Sequence, residues 1–265
     1  MNPFKLLSYN IMSGCFENYE LTSKLTNRFE LLKDAVKTIN AEYVGLCDTF
    51  KWKDTFSIEE LKQAFGYKHV LHVDMEDSRV EKEVGVAVMA NLEVKQFNII
   101  RAFNRNYIET VLDDLNIYTC YFDDLSEDTR LREVSSLLEQ IKKPAIIHGD
   151  LNTFTNTDLK GENKIRNQFE AENKELNKQL KPVIDEMQRC EVVEVIKKNG
   201  FIDADNSASP TMPSKLFPAK VTEPFVRVDY IFHTPDIKTK DTIVHKEELF
   251  HSVSDHFPLS TTIIV

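Results

Sequence analysis

The run Gly149-Asp150-Leu151-Asn152 carries a carboxylate and a carboxamide two residues apart. If the backbone there stays extended, both side chains leave the same face. A carboxylate beside an amide is what metal-assisted hydrolysis requires: one group holds or activates water, the other orients it. The same four residues also read as an ordinary polar turn after a strand. Asp229 is a second chemical signal, a carboxylate inside the otherwise apolar run Val226 to His233. An ionised carboxylate is expensive to bury unless it is paired. A histidine is the natural partner, because an Asp–His pair fixes the imidazole tautomer and raises its pKa. His256, in Ser254-Asp255-His256-Phe257-Pro258, offers an imidazole. The bland alternatives are an Asp229 that faces solvent from an edge strand and a His256 that caps a turn before a proline.

Strand ends must deliver these groups. Phe4 to Ile11 reads as a strand carrying Asn10, followed by a turn at Ser13-Gly14. Tyr43 to Cys47 reads as a buried strand ending at Asp48, and Ala145 to Ile147 as one that stops at Gly149 and presents Asp150. Amphipathic spacing predicts helices over Arg28–Asn40 and Glu127–Lys142, and a capping box at Ser57 and Glu60 opens another that runs to Phe65. Strands are expected at Tyr67–Val73, Val84–Ala90, Val94–Ala102, Thr110–Leu112, Asn116–Phe122, Thr242–His245 and Leu259–Val265. Turns are expected at Asn104-Arg105-Asn106 and Asp113-Asp114, a charged loop at Asp74–Glu83, and a loop at Phe201–Pro218. Residues 156–199 read as a helical insertion of two helices with a polar hinge at Lys181-Pro182, acting as a lid or a solvated decoration. Gly200 closes the second helix. With no internal repeat or low-complexity linker, a single domain over 1–265 is the simplest account. Strands outnumber helices and follow one another through short turns, which favours mostly antiparallel sheets covered by helices.

The 265 residues are enough for a sizeable core, and 42% hydrophobic with 29% charged is the balance of a globular protein. Lys and Arg total 33 against 43 Asp and Glu, a net charge of −10. That surface repels polyanions and disfavours sequence-blind duplex binding, but it admits a small phosphorylated substrate. Arg101 and Arg105 with Tyr107, and Lys215 with Lys220, are the remaining polyanion contacts; each pair also reads as a solvated loop. The four cysteines form no Cys-x-x-Cys pair and read as reduced thiols. With no apolar leader and no run long enough to span a membrane, a cytoplasmic protein is expected. The oligomeric state is not legible.

Six short motifs occur in order: Ser-Tyr-Asn-Ile (8–11), Gly-Leu-Cys-Asp (45–48), Gly-Val-Ala-Val (85–88), Gly-Asp-Leu-Asn (149–152), Arg-Val-Asp-Tyr-Ile-Phe (227–232) and Ser-Asp-His-Phe-Pro (254–258). Together they resemble the endonuclease/exonuclease/phosphatase family, the deoxyribonuclease I-like superfamily, in its bacterial-type members. The resemblance implies an α/β (α+β) four-layered sandwich, two mostly antiparallel β-sheets packed face to face and flanked by helices, with the active site at one rim. It implies Asp48 as a metal ligand, with Asn10 and Asp255 in the metal site. Asp150 would position or deprotonate the attacking water with Asn152 beside it. Asp229 would pair with His256, and His256 would face the scissile phosphate. The cofactor implied is Mg2+, with Mn2+ as the alternative.

Two positions depart from the common family pattern. Cys47-Asp48 stands where a Gln-Glu pair is usual, and the shorter acid retracts its oxygens by on the order of 1 Å. Tyr121 stands where many members carry histidine; it is a candidate phosphate donor or an ordinary core tyrosine. The reading is a Mg2+-dependent phosphoesterase acting on a small phosphorylated molecule or lipid headgroup. The alternatives are a nuclease acting on nucleic acid and a family member without turnover that serves as a binding protein.

Overall fold

The computed structural model describes residues 1–16, 27–75, 84–155, 174–217 and 226–265, with side chains at 174–180 set aside. The strands are β1 (Phe4–Asn10), β2 (Tyr43–Cys47), β3 (His69–Asp74), β4 (Gly85–Ala90), β5 (Gln96–Ala102), β6 (Arg105–Val111), β7 (Asn116–Tyr121), β8 (Ala145–Asp150), β9 (Ile202–Asp203), β10 (Asp229–His233), β11 (Lys238–Val244) and β12 (Leu259–Ile264). The helices are α1 (Asn27–Ile39), α2 (Trp52–Thr55), α3 (Ile58–Phe65), α4 (Glu127–Leu138), α5 (Lys174–Met187) and α6 (Glu191–Lys198).

Among the described residues these strands form two six-stranded sheets, ordered β11-β12-β1-β2-β4-β3 and β5-β6-β7-β8-β10-β9. Each sheet has one parallel pair, β1 with β2 and β7 with β8; the other pairs are antiparallel. Helices α1 and α4 lie in the crossovers of the two parallel pairs, as parallel strands require. The four-layered, mostly antiparallel architecture is therefore present.

Side-chain parity decides what reaches the rim. In β1, Phe4 and Leu6 join the core that unites the two sheets, while Leu7 and Tyr9 join a second core with α1 and α3. The pleat thus carries Asn10 on the face that meets the other sheet. In β8 the same parity puts His148 and Asp150 on one face. His148 fills the space over Gly45 of β2, where a Cβ would stand 2.0 Å from the ring. One step along β8, Gly149 (φ 138°) lies so close to β7 that a Cβ would be 1.8 Å from the carbonyl oxygen of Cys120. That is the left-handed half of backbone space, where glycine is the permissive residue.

Several local expectations change. Gly149 does not stop its strand; β8 runs on to Asp150 because β10 pairs with it at that residue. The turn expected at 104–106 is a hairpin tip at Phe103-Asn104, and Arg105 begins β6. No hinge lies at Lys181-Pro182. Helix α5 continues through Pro182, which is exposed, so water can serve the carbonyl left without its donor; the break falls after Met187. Nor is the second helix of this stretch a solvated decoration, since Val192, Val193 and Ile196 of α6 are fully buried in the main core. The loop expected at 201–218 contains the short β9, and most of the charged 74–83 loop, like residues 156–173, Pro218 and Lys220, lies outside the described residues. All four cysteines are buried free thiols. No helix among the described residues is long and apolar enough to cross a membrane.

Candidate active site

Asp229 opens β10 directly opposite Asp150 of β8, so two carboxylates lie side by side on one face. Both are buried. The loop before β12 brings His256 over them. Its Nδ1 lies 2.8 Å from Asp229 Oδ2, and its Nε2 lies 4.0 Å from Asp150 Oδ2. From the other sheet, Asn10 Nδ2 donates to Asp150 Oδ2 at 2.9 Å. Residues 10, 150, 229 and 256 therefore converge across the sandwich.

The electrostatics follow from this packing. Burial opposes a charged imidazole at His256, yet the charge and hydrogen bond of Asp229, with Asp255 and Asp150 behind, raise its pKa above the ordinary value. His256 is a cation at neutral pH. Burial, then the charge of Asp229, pushes the Asp150 carboxyl up; His256 and the donors Asn10 and Asn152 pull it back.

Asn152 reaches the site differently from an extended strand. Asp150 Oδ1 captures its N–H at 2.9 Å, the chain turns left-handed (φ 49°), and the side-chain amide donates to the Phe122 carbonyl at 3.0 Å. Asp150 and Asn152 are neighbours, but their side chains do not leave one face together. Tyr121, half-buried, pairs in register with Asp150. Burial and then the charges of Asp48, Asp124 and Asp150 hold its phenol well above the ordinary value, so it is a protonated donor. The Arg105 guanidinium lies 5.1 Å from the centre of its ring.

Asp48 follows β2 in a left-handed conformation (φ 56°). Its Oδ2 accepts the Ser13 N–H at 2.7 Å, and its Oδ1 is buried with no hydrogen-bond partner. Burial raises this carboxyl to about 6, against the Ser13 hydrogen bond and with help from Asp255. Asp255 is half-buried beside His256 and accepts weakly from the Ser254 hydroxyl at 3.4 Å. An orphaned buried carboxylate oxygen near a second acid suits a hard cation that takes oxygen ligands. Asp150, Asp229 and His256 also bring one ligand atom each within 4.8 Å of one another. There, however, His256 Nδ1 and Asp229 Oδ2 already bind each other, and a cationic imidazole is no metal ligand.

No family model matches the sequence, and no curated protein matches it either. Solved structures do. The chain is similar to an endonuclease/exonuclease/phosphatase from Bacteroides vulgatus (TM-score 0.68, 16% identity, 100% of both chains covered). It is similar to an AP endonuclease from Archaeoglobus fulgidus (TM-score 0.68, 16% identity, 98% of this chain and 99% of that one). A 3′ phosphatase from Neisseria bound to product DNA hairpin is also similar (TM-score 0.66, 12% identity, 97% and 98% covered). The fold is that of the endonuclease/exonuclease/phosphatase proteins.

On this endonuclease/exonuclease/phosphatase fold, buried cations that sequence reading did not single out hold the rim together. Arg28 donates to the carbonyls of Ile11, Met12, Phe16 and Val253, tying the loop after Asn10 to the loop before His256. Arg130 pairs with Glu127 at 2.7 Å and donates to the Asp123 carbonyl. Glu127 in turn accepts the first amides of α6, those of Glu191 and Val192, where a helix N-terminus favours a carboxylate. Arg105 and Tyr107 are buried rather than on a solvated loop; Arg105 faces Asp123, Asp124 and Glu133 and is no polyanion contact. Lys215 is exposed but salt-bridged to Glu248. A Glu-x-x-Arg spacing in an amphipathic helix, as at Glu127 and Arg130, signals nothing by itself, so these buried pairs were unreadable before the loops were placed.

Proposed function

We propose that the chain is a metal-dependent phosphoester hydrolase of the endonuclease/exonuclease/phosphatase family. The observation that carries this reading is the buried pairing of His256 with Asp229 beside Asp150. It supplies a fixed cation for the developing charge on phosphate and a carboxylate with raised pKa to take a proton from water. In this reading Asp150 orients and deprotonates the attacking water, and Asn10 fixes the Asp150 carboxylate through its amide. His256 donates to a phosphate oxygen through Nε2, with Asp229 holding the ring's orientation and its charge through Nδ1. The Tyr121 hydroxyl donates a hydrogen bond to phosphate, and Asn152 shapes the turn that aims Asp150. Asp48 and Asp255, with the second lone pair of the Asn10 oxygen, would hold Mg2+ or Mn2+. Such an ion, when bound, screens phosphate charge and lowers the pKa of water.

The net charge of −10 favours a small phosphorylated molecule or lipid headgroup as substrate. A second reading, nucleic acid, draws on the similar structures described as an AP endonuclease and a DNA-bound 3′ phosphatase. Binding without turnover fits poorly with an intact charge pair, because a buried Asp–His dyad is expensive to keep. The test is hydrolysis of p-nitrophenyl phosphate and bis-p-nitrophenyl phosphate with Mg2+ or Mn2+. Metal-dependent turnover that vanishes in Asp150→Asn is expected; no turnover on any phosphoester, with Asp150→Asn indistinguishable, rejects the enzyme. A shallow salt dependence is expected for a small substrate and a steep one for nucleic acid.

A further inference from the structure

β7 ends at Tyr121, where the backbone bends onto a buried cation. Along a strand successive carbonyls point to opposite sides. Those of Tyr121 and Phe122 instead converge on one nitrogen, Nη1 of Arg105, at 2.9 Å each. Arg105 is 2% exposed, and Asp123, Asp124 and Glu133 offset its burial from 3.5, 3.6 and 3.4 Å. Those ion pairs are longer than the two carbonyl bonds, so the carbonyls fix where the guanidinium sits.

The same group reaches two site residues. Its guanidinium contacts the Tyr121 ring, and the Phe122 carbonyl that it holds also accepts the Asn152 side-chain amide at 3.0 Å. Phe122 is pinned on its other sides, with its N–H on the Asp150 carbonyl at 2.9 Å and its ring stacked 5.4 Å from that of Tyr107. At the Tyr121 phenol, the guanidinium opposes the charges of Asp48, Asp124 and Asp150. An ion pair that served the core alone would need none of these contacts. Resting on the reading of Tyr121 and Asn152 as groups that serve phosphate, we propose that Arg105 is a positioning residue that sets both, Tyr121 through its ring and carbonyl and Asn152 through the Phe122 carbonyl. A lysine at 105 would keep a charge for the acids. As a point charge on a flexible stem, it would not hold two carbonyls and a ring face at once.

The test is p-nitrophenyl phosphate hydrolysis with Mg2+ by the full chain, beside denaturant melts of every variant. Arg105→Lys and Arg105→Met should each lower kcat about ten-fold with little change in KM, since small misplacements at a reacting centre are costly. Arg105→Lys should nonetheless melt closer to wild type than Arg105→Met. Made in Tyr121→Phe or in Asn152→Ala, Arg105→Lys should cost only about three-fold, because part of its route is already gone. The same loss in all three backgrounds, or a loss carried by KM alone, overturns the proposal and leaves Arg105 a core ion pair. In wild type, NMR should show the Arg105 Nη protons as separate, slowly rotating signals displaced by the Tyr121 ring, before and after inorganic phosphate is added. A single averaged Nη signal overturns the proposal even where no Arg105 variant folds. A wild type that turns over while Arg105 fails these tests sinks only the positioning role, whereas a wild type without turnover sinks the phosphoester reading and this role with it.

Discussion

Asp229 Oδ2 lies 2.8 Å from Nδ1 of His256, with both side chains buried at the rim where the two sheets meet. The bond settles which imidazole nitrogen faces outward. Nδ1 is held by the carboxylate, so Nε2 is the atom presented toward Asp150 and the basin.

Replacing Asp229 with Asn should therefore change the charge of His256 more than its position. In wild type the pKa of His256 is raised, so the stability of the pair is full below the ordinary histidine value of 6.5 and is lost only as pH climbs through the raised one. In Asp229→Asn the imidazole should titrate at or below the ordinary value, and turnover at neutral pH should fall by about 10²-fold or more. NMR of the ring protons against pH measures the first effect, and steady-state rates the second. A ring that titrates as in wild type would remove Asp229 from the role of charge partner.

Asn10 should control the acidic limb of the pH–rate profile. Asp150 must be ionised to accept a proton, and its pKa is raised by burial and by Asp229, so the limb should lie above the ordinary carboxylate range. The Asn10 amide favours the ionised form through its 2.9 Å hydrogen bond. Asn10→Ala removes that donor, so the limb should move to higher pH, with a rate recovered in part under alkaline conditions. Asp150→Asn should show no limb to move and a loss of about 10³-fold or more. A limb that stays in place in Asn10→Ala would mean another group is being titrated.

How much of this was legible beforehand depends on which residues had a local signature. Alternation in β1, β2 and β8 put Asn10, Asp48 and Asp150 at strand ends, and the resemblance to the family implied that those ends share one rim. Asp229 was readable because a lone acid in an apolar run needs a partner. What escaped was set by backbone geometry that no pattern encodes. Ser13-Gly14 reads as a turn, but nothing in those letters announces four left-handed residues or three amides aimed at Asn10 and Asp48. Asn152 was misplaced for the same reason: the Asp150 carboxylate captures its amide and turns the chain. Arg105 looked like a loop cation because its acids, Asp123, Asp124 and Glu133, are distant in sequence.

Asp48 should make the metal-free protein less stable at high pH. Its carboxyl is raised from 3.8 to about 6, chiefly by burial, so the folded chain favours the protonated acid. That advantage is complete below pH 3.8 and lost as pH rises through about 6. With chelator present, Asp48→Asn should be more stable than wild type at pH 8, by about 1–2 kcal/mol once the residue's partial exposure is discounted. Near pH 4 the difference should vanish. Denaturant melts at the two pH values check it, and an equal gain at both would point to a packing effect instead.

Gly45 and His148 should be energetically coupled across the sandwich. A Cβ at Gly45 would stand 2.0 Å from Cε1 and 2.7 Å from Nε2 of a fully buried ring that also bonds the Thr119 hydroxyl at 2.8 Å. The ring has nowhere to go, because Tyr43 packs edge-on against it at 5.7 Å. Burial also lowers its pKa to about 3, so it is neutral and adds no charge that could compensate. Gly45→Ala should cost about 1–3 kcal/mol by overpacking. His148→Ser alone leaves a void and takes from the Thr119 hydroxyl one of its two partners, the Tyr43 hydroxyl remaining at 3.1 Å, and should destabilise by a similar amount. Combined, the new methyl fills part of that void, so the double variant should be more stable than the sum of the two losses predicts. A double-mutant cycle from denaturant melts gives the coupling directly; strict additivity would show that the clash is relieved by movement of the sheets rather than by the ring.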